Sequence, residues 1–231
     1  MYSIKQDMNL RLSETTDLLN LISSIESGHV TSSTKINTPV LRATVILSLY
    51  NIVEATITQA LTRLHEEINS SKVNYNNLNK NLKDLALVYF YKHKAKKANI
   101  HDSLDVLHHT VDLLRGKGFF SVDYKDMTES YQLYSGNLDA KIIRKVMGKY
   151  GITISETYGS KLQAIKNGRN ALAHGNKSFE EFGRDILLPS LRIYYTDVEN
   201  FLAEVVKESG SFIDDKKYRL KKPAAKAKKR R

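Results

Sequence analysis

The chain contains no cysteine. That excludes disulfides and thiolate-bound metals, and nothing in the sequence speaks for an oxidising compartment. No apolar run approaches the ~20 residues of a membrane span, and the N-terminus lacks the apolar core of a signal peptide. A soluble, cytoplasmic protein with no membrane partner is therefore expected. Also missing are a glycine-rich phosphate loop, the ligand spacing of a zinc site, a G-x-S-x-G elbow and any repeat of about 20–50 residues. These absences remove the P-loop, zinc-module, α/β-hydrolase and solenoid classes, and no cofactor or metal is expected.

What is present is a chain of 231 residues with a formal net charge of +11. The length suits one domain with a substantial core. The charge is concentrated at one end: ten of the 36 Lys and Arg residues fall within 216–231, leaving 26 basic against 25 acidic residues elsewhere. We expect one helical domain over residues 1–213 and a disordered basic tail over 214–231, which lacks anything that could pack. Lys228, Lys229, Arg230 and Arg231 close that tail. With about ten charges engaged on single-stranded nucleic acid, its salt slope would be roughly −7.

Apolar spacing predicts an all-α fold. Tyr2 to Ser27 reads as a helix stopped by Gly28, and Thr38-Pro39 opens the longest one, running to about Asn69. Its middle, Val45 to Ile57, is apolar almost all round and is expected to be the central buried helix. Asn51 and Glu54 sit inside that run, with Tyr50 one turn before Glu54, and Arg42 lies three turns away. A carboxylate there needs a partner. It is expected either in a structural network or behind the functional site, and Arg42 is a phosphate contact or Glu54's kind of partner.

Tyr75 to Asn99 reads as a helix ending in a basic cluster that includes Lys92, Lys94, Lys96 and Lys97, near Tyr89 and Tyr91. A helix C-terminus explains cations there; an RNA-backbone patch with aromatics for stacking is the sharper reading. Asp102 or Ser103 caps a helix through Leu114, and its histidines are expected on the surface rather than on a metal. An irregular insertion is predicted near 116–136. Asn137 or Asp139 then caps a helix through Lys149, and Leu191 to Val206 is strongly amphipathic.

The stretch around which the chain is organised is Arg169-Asn170-Ala171-Leu172-Ala173-His174-Gly175. Tyr158 to Lys166 reads as helix before it, Gly175-Asn176 as a helix stop, and Ser178-Phe179-Glu180-Glu181 as a capping box. Asn170 and His174 share a helix face, whereas Arg169 and His174 lie roughly 140° apart. A permanent cation, an amide and a titratable imidazole suit the handling of a phosphodiester. A helix C-terminus also favours the imidazolium form.

R-N-x-x-x-H followed by Gly resembles the signature of the HEPN superfamily (higher eukaryotes and prokaryotes nucleotide-binding). Leu41-Arg42-Ala43 through Leu49-Tyr50-Asn51-Ile52-Val53-Glu54, then Ser135 to Lys141, then Asn176 to Asp185 resemble its MAE-type prokaryotic branch, in the expected order. The likeness runs from about Leu41 to Val206 and implies a HEPN-like helical bundle. It also implies a metal-independent endoribonuclease whose site forms at a two-fold dimer interface. His174 would then act in acid–base chemistry at the ribose 2′-hydroxyl, Arg169 would bind the phosphate oxygens, and Asn170 would orient the imidazole or the phosphate. Glu54, Asn51 and Arg42 would support them.

By the same resemblance the partners are RNA, a second copy of the chain, and a neutralising or regulatory protein of a toxin or phage-defence system. Some toxin relatives carry a Tyr two residues after the His, modified by a partner enzyme; here that position is Asn176. The alternatives are a non-catalytic HEPN dimer that binds nucleotide or RNA or serves as an assembly module, and a DNA-binding accessory led by the basic tail.

Overall fold

A computed structural model describes residues 1–29, 36–95, 100–134 and 136–220. The side chains of 91, 93–95, 100–103, 105, 106, 109 and 130 are excepted. Among the described residues the chain is all-α, with nine α-helices, one 3-10 turn and no strand. It folds as two compact units.

The first unit comprises Met1–Arg63, Leu133–Met147 and Thr153–Gly210. Its first helices, α1 (Tyr2–Glu26) and α2 (Thr38–Ser70) as far as Arg63, run antiparallel. Three ties set their register. Gln59 donates to Asp7 at 2.9 Å, the Thr15 and Ser48 hydroxyls meet at 2.6 Å, and Arg42 pairs with Glu26 at 2.7 Å. The face of α1 carrying Ile4, Met8, Leu12, Leu19 and Ile22 is buried, as its spacing predicts. In α2, Ile46, Leu49, Tyr50, Val53 and Ile57 are buried almost completely, which makes its middle a core segment. Although no such run was expected, α2 is by length and composition alone long and apolar enough to cross a membrane, with a mean hydropathy of 1.5 over an 18-residue stretch. Half of that stretch is buried, and a core helix has the same length and composition. Also in this unit are α6 (Ala140–Gly148) as far as Met147, α7 (Leu162–Ala173), α8 (Phe179–Asp185) and α9 (Leu188–Asp214) as far as Gly210.

The second unit comprises Leu64–Gln132, Gly148–Ile152 and Ser211–Arg231, and contains α3 (Lys80–Ala95), α4 (Ile100–Leu114) and α5 (Tyr124–Ser130). Its centre is His65, buried among Phe120, Tyr124 and Tyr150. The ring is bonded at both nitrogens, Nδ1 to the Val122 carbonyl at 2.7 Å and Nε2 to the Tyr150 hydroxyl at 2.8 Å. Burial pushes its pKa down, against the pull of the Val122 carbonyl and Asp123. A proton sits on Nδ1 to meet the carbonyl, so the neutral ring accepts from Tyr150.

Three local expectations change. The helix expected from Tyr75 is split, because the Asn74 side chain takes the N–H of Asn76 and closes a 3-10 turn over Tyr75–Asn77. Asn79 then caps α3 by accepting from Leu82 at 2.8 Å. The insertion near 116–136 holds the short helix α5, capped by Asp123, whose carboxylate accepts from Lys125 and Asp126. Finally, order extends beyond residue 214. Tyr218 is 2 % exposed, its carbonyl accepts from Asn79 at 2.8 Å, and Leu220 donates to Asn77 at 2.7 Å. This stretch, expected to lack anything that could pack, carries Tyr218, whose ring centroid lies 6.2 Å from that of Phe212.

Candidate functional site

The motif lies on α7, and each part of that helix is held by a different element. Its start is later than expected, at Leu162. Gly159 has φ +93, and a Cβ there would meet Phe201 at 2.7 Å, so the chain turns before it can coil. Asp197 of α9 replaces a local cap, accepting from the N–H groups of Gly159 at 2.9 Å and Lys161 at 2.7 Å. Arg144 pins the preceding loop through the carbonyls of Ser155 and Tyr158.

In the middle of the helix, Gly168 allows a close approach: a Cβ there would come within 2.7 Å of Phe182 and 3.0 Å of Ile46. Lys166 bonds Asp139 at 2.6 Å with both side chains largely buried. Burial alone would push the Asp139 carboxyl up, but the Lys166 ammonium and the N–H of Ile142 outweigh it and hold the carboxyl below the usual range. The end of the helix is a Schellman turn: Gly175 sits at φ +69 and donates to Leu172, and Asn176 donates to Ala171 at 2.9 Å. Ser178 and Glu181 then form the capping box that opens α8. Both signals were legible in the sequence.

Arg169 is half-buried, with its guanidinium carbon 4.8 Å from the centroid of the Tyr50 ring. Its Nη1 donates to Asn170 Oδ1 at 3.1 Å, and Asn170 Nδ2 donates to Asn137 Oδ1 at 2.9 Å. Among the described residues no carboxylate lies within ion-pair distance of Arg169. Tyr50 is fixed in turn: its hydroxyl donates to the Gly136 carbonyl at 2.7 Å and accepts from Leu138 N–H at 3.1 Å. Burial raises the phenol's pKa, so it keeps the proton it donates. The arrangement therefore presents a positioned cation with no ion-pair partner among the described residues, with the loop 136–139 as its second wall.

The other expected site residues are distributed as follows. His174 is exposed at the end of α7, and its ring has no hydrogen-bond partner among the described residues; it meets Asn170 only through backbone. The Asn170 amide is occupied by Arg169 and Asn137. Glu54 lies 3.4 Å from the Tyr50 hydroxyl, on the edge of this group, and Asn51 is exposed on α2. Arg42 is elsewhere: besides Glu26 it bonds the Ile186 carbonyl at 3.2 Å, tying α2 to the end of α8, and it is not Glu54's partner.

Lys92 is exposed on α3. Lys96, Lys97, Lys228, Lys229, Arg230 and Arg231 lie outside the described residues, as do the side chains of Lys94, His101 and His109. Sequence reasoning assigned no site role to Tyr50, Asn137 or Lys166. The available signals were Tyr50 inside an apolar run and two polar residues, Asn137 and Asp139, in the stretch 135–141.

A protein-family model described as MAE_28990-like HEPN matches residues 2–218. The chain belongs to the HEPN superfamily. The match is wider than the stretches that first suggested it, taking in α1 and the segment up to Tyr218. No curated protein and no solved structure gave a match. In this HEPN chain the Arg169–His174 stretch closes α7, with Arg169 held by Tyr50 and Asn170 and the His174 ring without a hydrogen-bond partner among the described residues.

Proposed function

We propose that this HEPN protein is a metal-independent endoribonuclease whose site is completed by a second copy of the chain. The observation that carries the reading is Arg169: a half-buried cation, held by an aromatic ring and an amide, with no carboxylate within ion-pair distance among the described residues. Such a group is prepared for an anion, and a guanidinium fork matches the non-bridging oxygens of a phosphodiester.

In the reaction the 2′-hydroxyl oxygen attacks the adjacent phosphorus and the bond to the 5′-oxygen breaks. One imidazole takes the 2′ proton, and a second imidazole protonates the leaving oxygen. The products are a 2′,3′-cyclic phosphate and a 5′-hydroxyl. One chain supplies one motif histidine, so a two-fold pair is needed to supply both roles. Arg169 stabilises the charge that grows on the phosphoryl oxygens. Asn170 acts through Arg169, by fixing the direction of the guanidinium. The biological setting implied by the family resemblance is a phage-defence or toxin effector restrained by a regulatory partner.

The test is RNA cleavage in EDTA by wild type, Arg169→Ala and His174→Ala, with product ends determined. Cleavage by wild type leaving cyclic phosphates, with a loss of ~10²–10⁴ for His174→Ala, is expected. Equal cleavage by all three would overturn the reading. The unpartnered His174 ring also fits a non-catalytic RNA- or nucleotide-binding dimer; RNA bound but left intact by wild type would favour that.

A further inference from the structure

A second cationic arrangement belongs to the second unit. Lys149 Nζ donates to the Tyr131 hydroxyl at 2.8 Å and stands 4.8 Å from the centroid of that ring. Lys92 Nζ stands 5.6 Å from the same centroid. Neither ammonium has a carboxylate within ion-pair distance among the described residues. A helix C-terminus gives Lys92 a reason to be where it is. It does not explain two like charges drawn to one ring, where they repel each other. The π-face offsets part of that repulsion and leaves the net charge unanswered.

Beside these groups opens a pocket of about 240 Å³, lined by Asn81, Asp84, Leu85 and Val88 of α3 together with Tyr131 and Lys149. The α3 positions follow i, i+3, i+4, i+7 spacing, and Lys92 continues the same face one turn beyond Val88. Along this face of α3 the chemistry runs from an amide and a carboxylate, through two apolar side chains, to the Lys92 cation. Lys149, which follows α6, reaches the Tyr131 ring from outside that helix, and the Asn81 amide holds the Gly148 carbonyl at 2.8 Å. A nucleotide presents its groups in the same order: a hydrogen-bonding base edge, a flat apolar face, then a phosphate.

We propose that this face binds a nucleoside phosphate, free or within a single-stranded RNA. The phosphate sits between Lys149 and Lys92, the base lies against Leu85 and Val88, and the Asp84 carboxylate accepts from an amino-bearing base edge. The site is independent of whether the motif cleaves RNA.

The experiment uses the full chain carrying Arg169→Ala, so that the strand stays intact. Anisotropy of a labelled single-stranded 12-mer RNA is measured over a range of salt, and 5′-AMP and 5′-GMP are tested as competitors. Lys92→Ala with Lys149→Ala is expected to weaken strand binding at least fivefold and to flatten the log–log salt slope by about 1.4, two contacts at ~0.7 each. Val88→Glu, which blocks the pocket and leaves both lysines, should weaken binding likewise. Competition by the mononucleotides identifies a free nucleotide as sufficient; binding of the strand alone assigns the phosphate to RNA. An unchanged slope in the double variant overturns the proposal. So does an equal loss in the control Lys5→Ala with Lys207→Ala, whose lysines are exposed on α1 and α9.

Discussion

The guanidinium of Arg169 rests 4.8 Å from the centroid of the Tyr50 ring, and Tyr50 is itself fastened to the loop that supplies Asn137. The direction of the motif cation is thus set by a residue more than a hundred positions earlier. Tyr50→Phe keeps the ring but leaves the buried Leu138 N–H without its acceptor. A loss of ~1–3 kcal/mol in stability is expected, with the proposed RNA cleavage left close to the wild-type rate. Tyr50→Leu removes the ring as well and should lower cleavage further than its stability loss explains. Denaturant unfolding beside single-turnover cleavage separates the two; equal rates for Phe and Leu would reject the ring's role.

The Asp139–Lys166 pair is buried on both sides, at 8 % and 14 % exposure. Lys166→Met leaves a buried carboxylate without its cation and should cost ~3–5 kcal/mol. Asp139→Asn with Lys166→Met removes both charges and should recover part of that loss. Urea midpoints of the three proteins check this.

Asp139 also predicts an acid limit. Its folded pKa lies below the ordinary carboxylate value of about 3.9. The pair's stabilisation is therefore complete above that value and is lost as pH falls through the lower folded one. Wild type should lose more stability than Asp139→Asn on going from pH 5 to pH 3, measured by urea unfolding at fixed ionic strength.

His65 gives a second pH dependence in a different window. Its folded pKa is depressed, so as pH falls below the unfolded value of about 6.5 the unfolded chain gains a proton that the folded chain refuses. Stability should decline below about pH 6.5 with a slope of up to ~1.4 kcal/mol per pH unit for that one proton. His65→Asn should be less stable at pH 7 and lack this component. A flat wild-type profile between pH 7 and 5 would show that the ring takes up its proton without opening the cage.

Gly183 places α8 directly on the N-terminal turn of α2: a Cβ there would fall 1.8 Å from the Pro39 carbonyl oxygen. Backbone cannot move aside as a side chain can. Gly183→Ala should cost at least the ~1–3 kcal/mol typical of overpacking. Gly168→Ala, which meets the Phe182 ring, should cost less because a ring can shift. Thermal unfolding of both variants tests the order.

Much of the local structure was legible because its causes are local. Apolar spacing marked α1, α2 and α9; the Ser178–Glu181 box and the Gly175 stop marked the two helix ends that frame the motif. Other boundaries were set from a distance and could not be read. Asp197 decides where α7 begins, and Asn79 receives the segment that ends with Leu220, although the two are far apart in sequence. The apolar run around Tyr50 carried no sign that one of its rings would face a guanidinium.

By itself the sequence determined the all-α class, the order of Arg169, Asn170 and His174 along one stretch, and the termination of the helix that carries them. Each follows from spacing, from capping chemistry or from residue identity. Only the tertiary structure decided the partners of four charged groups, whereas Arg11 on Asp7 and Arg184 on Glu180 follow i,i+4 spacing within one helix. It set Arg42 on Glu26, Lys166 on Asp139, Arg169 on Tyr50 and Lys149 on Tyr131. The physical reason is that a charge interacts with whatever lies within a few ångströms of it. Sequence spacing fixes that neighbourhood only within one helix, and none of these four pairs shares one.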